Sequence, residues 1–370
     1  MRLLFGLVVF VLWQHTDCLT RTTKLLTLNT FLINIQTEYQ KRAEHIANNI
    51  GSTQADIICL QEVWDDKDVL AIVKANQEKY PYTLSGLHNE TQELLQSSKT
   101  NRPRCLELGV LVMAIRTVAN GCLGEEGDAA RLKCLMEKAG YLDLSRQCIA
   151  CLTFSGFDIG SLLKNCLFSN IQTNLPGLLV LSKRKLLNPS MTYFRQEKTL
   201  FNRGYISFEV DQVGDIRCTH QTSDSLGDYY DGNLRTVYGS WEDQHFDETK
   251  TLISSFPNDK IRSIIMGDVN TGPFLPIQTE LQGYFIDSYK YYKSQMFMPT
   301  FETTCTYCLE NPLAMDIDSG SIIDQVLVRT PEGDIATYKT MRVFDNLIPG
   351  EAVPASDHYA VELLIETPSH

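Results

Sequence analysis

Ile264-Ile265-Met266-Gly267-Asp268-Val269-Asn270-Thr271-Gly272-Pro273 reads as a short buried strand that runs straight into a tight turn. Residues 264–266 carry the apolar run of a strand, and Gly267 and Gly272 mark sharp backbone changes around it. Between the glycines stand a carboxylate and a carboxamide, two residues apart. In extended backbone such positions project to one face, so Asp268 and Asn270 are expected to converge on a shared point. A carboxylate there can orient or deprotonate a water, and an amide can donate to a charged oxygen beside it. An isolated G-D-x-N also suits an ordinary Asx turn, so the rest of the chain has to decide its meaning.

Other polar residues recur at the ends of apolar segments. Residues 24–28 form a strand pattern ending at Asn29. Ala43, Ile46, Ala47 and Ile50 then follow helical spacing up to Gly51. A second strand pattern at 55–60 delivers Gln61-Glu62-Val63-Trp64. Strand, helix, strand is a βαβ opening, with Asn29 and Glu62 just past the C-terminal strand ends, where parallel sheets assemble sites. Glu62 could be a solvated loop carboxylate. Beside Asn29 it also suits a hard Mg²⁺-type site, which recruits few protein carboxylates and fills the rest with water and phosphate oxygens. No Cys/His spacing typical of zinc is found.

Strand patterning resumes at 177–182. Segments 193–195 and 205–210 read as an antiparallel pair joined around Asn202-Arg203-Gly204, and 216–219 leads to His220, which could be structural or functional. The stretch 221–246 is long and aromatic, with Tyr229, Tyr230, Tyr238 and Trp241, and reads either as a packed lid or as a surface for a lipid headgroup or membrane interface. A helix is expected over 247–256. Residues 322–328 form a strand with Asp324 inside it, a costly placement unless the carboxylate is paired, plausibly with a histidine. Ser356-Asp357-His358-Tyr359 precedes a last strand at 360–365, and His358 looks like an oriented general base.

At 370 residues and 43% hydrophobic content, the chain can bury one large core or two modest ones. A net charge of −12 argues against coating nucleic acid by phosphate neutralisation, though a divalent cation could still bring a phosphodiester to an acidic protein. Arg2, an apolar run over 3–13 and Cys18 have the layout of a signal peptide over residues 1–18. The run is too short to span a bilayer, and a mature chain is expected from about Leu19. Ten of the eleven cysteines then remain, an even set that suits disulfides in an exported protein, although Cys59 could be a buried free thiol. Asn89-Glu90-Thr91 is the one glycosylation sequon.

Six of the cysteines fall between about 88 and 175, a segment with helix-like stretches at 129–139 and 161–165 that reads as a disulfide-bonded insertion. Its Cys148-Ile149-Ala150-Cys151 is expected to staple rather than to catalyse, and Cys305-Thr306-Tyr307-Cys308 to close a local disulfide.

In order and context, Asn29, Glu62, His220, Asp268/Asn270, Asp324 and Asp357/His358 resemble the endonuclease/exonuclease/phosphatase family, the group that includes deoxyribonuclease I and the Mg²⁺-dependent neutral sphingomyelinases. The resemblance covers about residues 24–85 and 177–366. It implies an α/β fold, a four-layer α/β sandwich of two packed mixed β-sheets flanked by helices, here over 19–370 and interrupted by the cysteine-rich insertion. It also implies a secreted phosphodiesterase using Mg²⁺, with Mn²⁺ or Ca²⁺ as substitutes. Glu62 and Asn29 would hold the metal, with Asp357 nearby. His358, oriented by Asp324, would be the base. Asp268 would position the water or the metal, and Asn270 and His220 would bind the charged phosphoryl group.

The runs Leu26-Thr27-Leu28-Asn29-Thr30-Phe31-Leu32 and Leu60-Gln61-Glu62-Val63-Trp64, and Arg203-Gly204, look most like the sphingomyelinase branch. Deoxyribonuclease I has an Arg-Glu pair at the last position. Gln221 after His220, where a leucine is usual, and the insertion depart from that branch. A lipid headgroup at a membrane surface is the expected substrate, with nucleic acid, rimmed by Lys183, Arg184, Lys185 and Arg195, as the alternative and a non-catalytic glycoprotein as a third reading. Nothing implies a stable protein partner.

Overall fold

The structure, a computed structural model, describes residues 20–86, 103–155, 163–169, 172–195, 198–224, 230, 237–257, 260–276, 282–299, 304–314 and 318–368. The expected signal peptide, the sequon at Asn89, Tyr229 and the start of the 161–165 segment lie outside the described residues.

Fifteen strands are described: β1 Thr20–Leu32, β2 Ile57–Val63, β3 Tyr82–Ser85, β4 Leu179–Ser182, β5 Leu187–Tyr193, β6 Gly204–Val210, β7 Gly214–His220, β8 Ser263–Asp268, β9 Gly272–Leu275, β10 Gly283–Tyr284, β11 Met298–Pro299, β12 Gly320–Ser321, β13 Asp324–Arg329, β14 Thr337–Val343 and β15 Ala360–Pro368. They build two mixed six-stranded sheets, ordered β14-β15-β1-β2-β4-β3 and β11-β13-β8-β7-β6-β5, and a small sheet β10-β9-β12. Helix α1, Tyr39–Asn49, links the parallel pair β1 and β2, which is the expected βαβ opening. Helix α2, Asp66–Asn76, follows β2.

Period-two alternation along the strands produces the layers. Leu25, Ile57, Cys59 and Val180 of the first sheet face Ile206, Cys218, Ile264, Met266 and Val326 of the second, forming the core between the sheets. Their neighbours Leu26, Leu28, Ile58, Leu60 and Leu179 point the other way, onto Ile46 and Ala47 of α1, Ile50 just after it, and Val69, Ile72 and Val73 of α2. On the far side of the second sheet, Ile265 and Leu327 pack with Leu252 and Tyr292. The result is helix, sheet, sheet, helix, as expected.

The cysteine-rich segment between β3 and β4 contains helices α3 (Leu108–Ala119), α4 (Asp128–Cys134, running on as a wider π-helical turn over Leu135–Ala139) and α5 (Arg146–Ser155). Three disulfides cross it, Cys105–Cys148, Cys122–Cys134 and Cys151–Cys166, so the two cysteines of the C-x-x-C staple to separate partners. Cys305–Cys308 closes as expected. Cys59 is not a free thiol: β2 and β7 bring it against Cys218, and the disulfide joins the two sheets through the core.

Several boundaries differ from the expectation. The strand expected over 193–195 ends at Tyr193, and β5 runs back through Pro189; this is an edge strand, where proline is tolerated. Helix α6, Trp241–Ser254, begins six residues before 247, because Ser240 caps it by accepting from Asp243 N at 3.1 Å. Helix α7, Ile286–Ser294, packs beside it in the outer layer.

Cys59–Cys218 closes a loop of sequence separation 159. Replacing both cysteines by alanine is expected to lower the unfolding free energy by about 2–4 kcal/mol, read from the urea midpoint with the other disulfides intact. An unchanged midpoint would contradict a stabilising cross-sheet link.

Candidate active site

His220, Asp268 and Asp324 lie in one row across three neighbouring strands, with His220 opposite Asp268 and Asp268 opposite Asp324. Only glycine fits before this row on β8. Gly267 has φ 152°, and a Cβ there would lie 2.0 Å from the Thr219 carbonyl oxygen. In the first sheet, β1 and β2 carry Asn29 and Glu62 to the same end of the molecule, and β15 begins two residues after His358. The site therefore sits at the C-terminal edges of the parallel pairs β1/β2 and β7/β8.

Asn29 and Glu62 are not beyond their strands. The strands run on through a bulge between Asn29 and Leu32, with left-handed backbone at Phe31 (φ 49°) and Glu62 (φ 58°). Fully buried Arg42 holds this bulge, donating to the carbonyls of Phe31 at 2.9 Å, Thr37 at 2.9 Å, Thr30 at 3.3 Å and Ala355 at 3.4 Å. Trp64 Nε1 donates to Glu62 Oε2 at 3.4 Å, and its ring lies where a Cβ on Gly177 (φ 82°) would fall.

Asp268 is the hub. Its Oδ2 accepts from Asn29 Nδ2 at 2.9 Å and lies 3.4 Å from His220 Nε2 and 4.0 Å from His358 Nε2. Asn29 Nδ2 also reaches Glu62 Oε1 at 3.4 Å. Burial alone would raise the Asp268 carboxyl. The hydrogen bond from His220, then the charge of His358 and the amide of Asn29, hold it well below the usual carboxylate range. Asn270 does not follow Asp268 along one strand face. It sits at φ 46° beyond the strand end, with its N–H on Asp268 Oδ1 at 3.0 Å and its amide on the Gln221 carbonyl at 2.9 Å. The Asx turn therefore forms, inside the site.

The two histidines have opposite electrostatics. Arg203 Nη1 lies 2.5 Å from His220 Nδ1, and a guanidinium can only donate, so Nδ1 accepts and the proton sits on Nε2, toward Asp268. Burial and then Arg203 push His220 below the ordinary histidine range, which keeps the ring neutral. His358 Nδ1 pairs with Asp324 Oδ2 at 2.7 Å, leaving Nε2 toward Asp268 and Asp357. Burial pulls this ring down, but Asp324 and Asp357 outweigh it and raise it well above the ordinary value. The expected histidine partner of Asp324 is thus His358.

Three further residues complete the setting. Thr306 Oγ1 accepts from the N–H groups of Ile323 and Asp324 at 3.1 and 3.0 Å, and the Tyr307 ring lies 4.8 Å from that of His358. Both sit inside the Cys305–Cys308 loop. Ser356 Oγ donates to the Asn29 carbonyl at 2.6 Å and accepts from His358 N at 3.2 Å, tying the last loop to β1. Sequence reasoning misses Thr306, Ser356 and the role of Arg203, since each acts through a partner distant in the chain.

The donor set suits a hard cation. Asp268, Asp324 and His358 offer ligand atoms within 4.8 Å of one another. Burial, and next the charge of Glu62, push Asp357 up to about 7, so this corner holds more carboxylate than its surroundings easily keep ionised. Cys305, Cys308 and Glu310 also cluster, but both cysteines are committed to their disulfide.

The residues expected to meet ligands outside this centre behave differently. Tyr230 and Trp241 are buried against each other, ring centroids 4.8 Å apart, with the Tyr230 hydroxyl on Gln244 at 2.7 Å. These two are packed inward and offer no surface to a membrane. Lys183 pairs with Asp56 at 3.2 Å and Arg184 reaches Thr23, at the opposite end of the sheet from Glu62, because β4 runs antiparallel to β2. Arg195 pairs with Asp247 at 3.1 Å. None of these three forms a free basic rim.

The profile of the Endonuclease/Exonuclease/phosphatase family matches residues 26–358, from β1 to His358. The chain belongs to the endonuclease/exonuclease/phosphatase family. Similar solved structures include SmcL, at 14% identity, covering 94% of this chain and 99% of that one with a TM-score of 0.53. Sphingomyelinase C from Streptomyces griseocarneus is 16% identical and covers 93% and 99%, with a TM-score of 0.52. D. rerio TDP2, complexed with a single-strand DNA product, is 11% identical and covers 94% and 99%, also at 0.52. At these identities the likeness is one of fold. No curated protein matches the chain. Members of the endonuclease/exonuclease/phosphatase family are hydrolases of phosphodiester bonds, and the five disulfides here suit an oxidising compartment. Among the described residues, no helix is long and apolar enough to cross a membrane.

Removing the Arg203 guanidinium frees His220 Nδ1 to take a proton. In Arg203→Gln, the His220 ring is expected to take up its second proton at higher pH than in the unmodified protein, read from its ring ¹⁵N shifts, since burial stays and the guanidinium is gone. A His220 ring that titrates identically in both would contradict the assignment.

Proposed function

We propose that this is a secreted, Mg²⁺-dependent phosphodiesterase of sphingomyelinase type, which cleaves a phospholipid headgroup by in-line attack of water. The observation that carries the reading is the pairing of an oriented base, His358 on Asp324, with a neutral donor, His220 on Arg203, on either side of Asp268.

Glu62, Asn29 and Asp357 are the residues that would hold Mg²⁺, with Mn²⁺ or Ca²⁺ as substitutes. The cation supplies Lewis-acid stabilisation of the phosphoryl oxygens when bound. His358 Nε2 takes the proton of the attacking water, and Asp324 keeps Nδ1 protonated and the ring oriented. The carboxylates that raise this ring strengthen it as a base but also favour its charged form; the positive charge of a cation held at Glu62 would favour the neutral ring that accepts the proton. Asp268 Oδ2 lies near both histidine Nε2 atoms, within reach of a water between them. His220 Nε2–H, on a long 3.4 Å contact with Asp268, is available to turn to a phosphoryl oxygen, and the second amide hydrogen of Asn270 is a further donor. Because His220 stays neutral, it donates without competing for the proton that His358 carries.

Lipid is favoured over nucleic acid by four features. The chain carries a net charge of −12, Lys183 and Arg184 lie at the end of the sheet away from the site, and Arg195 is already paired. Arg203 is followed by Gly204, where the deoxyribonuclease pattern has a glutamate.

Hydrolysis of detergent-dispersed sphingomyelin is expected with Mg²⁺ and is expected to stop with a chelator. His358→Ala should lower kcat by about 10²–10⁴-fold with the fold intact. Plasmid nicking without lipid turnover would overturn the substrate assignment and leave the active-site reading standing. Full activity in His358→Ala would remove the base.

A further inference from the structure

Helix α3 is built inside out. Its inward positions Val110, Met113 and Thr117 lie on the disulfide core of the cysteine-rich segment, at the i, i+3, i+7 spacing of one helix face. The opposite face is aliphatic and exposed: Leu108 at 77%, Leu111 at 59%, Ile115 at 61% and Val118 at 71%, with Val112 beside them. These residues fall within about a third of the helix circumference, and Arg116 flanks the stripe rather than interrupting it. Leu106 just before the helix and Leu123 just after it are exposed as well. An apolar face of this length in water marks an interaction surface.

We propose that the exposed face of α3 is the element with which the protein docks on a zwitterionic lipid bilayer. The inference rests on the phospholipid substrate proposed above and names the surface that brings the enzyme to it. Charge selects this occupant. Residues 103–169 hold seven Lys/Arg and seven Asp/Glu, so the whole net charge of −12 is carried by the rest of the chain. A neutral apolar face on an acidic molecule suits a surface without net charge, whereas anionic lipid would repel the remainder. The stripe is convex and purely aliphatic, with its backbone hydrogen bonds closed within the helix, which matches acyl chains. The aromatic stretch that could have served instead is turned inward at Tyr230 and Trp241.

The segment that carries α3 is fastened to the site end of the sheets. Arg104 donates to Asp65 at 3.0 Å and to Thr173 at 2.8 Å, and the Phe154 ring lies 4.4 Å from that of Trp64, which in turn bonds Glu62. Lys198 reaches the Leu144 carbonyl at 2.6 Å, and Arg146 bonds Asn202, next to Arg203. Docking through α3 therefore holds the site edge, rather than the far end of the sandwich, near the bilayer.

Flotation with phosphatidylcholine/sphingomyelin vesicles in the presence of a chelator reads docking without turnover. Leu111→Asp/Ile115→Asp should lower the vesicle-bound fraction at least about tenfold, since two charges replace two inserted aliphatic groups. The swap Leu111→Ile/Ile115→Leu should keep it. Hydrolysis of the soluble diester bis(p-nitrophenyl) phosphate should be unchanged in both, which also reports that they fold. Equal flotation of the charged variant, or no flotation of the unmodified protein, overturns the proposal. So does a dimer in light scattering that the charged variant dissolves. If flotation depends on α3 but detergent-dispersed sphingomyelin is not cleaved, docking stands and the substrate reading fails. If that lipid is cleaved while flotation ignores α3, the reverse holds.

Discussion

Asn29 Nδ2, from the first sheet, donates to Asp268 Oδ2, from the second, at 2.9 Å, and the two histidines flank the same oxygen. A buried carboxylate needs such partners, because burial alone favours its neutral form. The partners come from β1, β7 and the loop before β15, so satisfying this one group requires the two sheets to end together. The cross-sheet disulfide Cys59–Cys218 fixes the same pair of sheets further back in the core, and Ser356 ties the loop that carries His358 to the Asn29 carbonyl. Core and site thus share one constraint: the registration of two sheets against each other.

That registration also separates the roles of the histidines. Both rings are buried beside carboxylates, yet one is pressed toward neutrality and the other toward charge. The difference lies in what meets Nδ1. A guanidinium at His220 takes up the acceptor and leaves a fixed donor facing the site, while a carboxylate at His358 takes up the donor and leaves Nε2 as the nitrogen that gains and loses a proton. Deleting either Nδ1 partner would change which proton each ring can move without touching the reacting face.

Much of this centre is legible in the sequence, for a physical reason. A carboxylate inside an apolar run, as at Asp324, or between glycines at a strand end, as at Asp268, is expensive unless it has a task, so it stands out. Arg203 does not, because its partner His220 is 17 residues away across a hairpin. Arg42 reads as an ordinary charge in a helix, although it is fully buried beneath the Phe31 bulge. The bulge itself leaves no signal, because residues with side chains adopt its left-handed backbone under tertiary restraint. The cysteine count suggests disulfides but not their pairing, and the outward apolar face of α3 is invisible until the inward face is known. Periodicity shows which residues share a face, not which face is wet.

The central claim is that the carboxylates gathered around Asp268 form a divalent-cation centre at the end of the two sheets. Anomalous diffraction from crystals soaked in Mn²⁺ tests it most directly. The expected result is a peak in contact with Glu62 at the site edge that disappears in Glu62→Gln. No peak there, or the same peak in the variant, would contradict it.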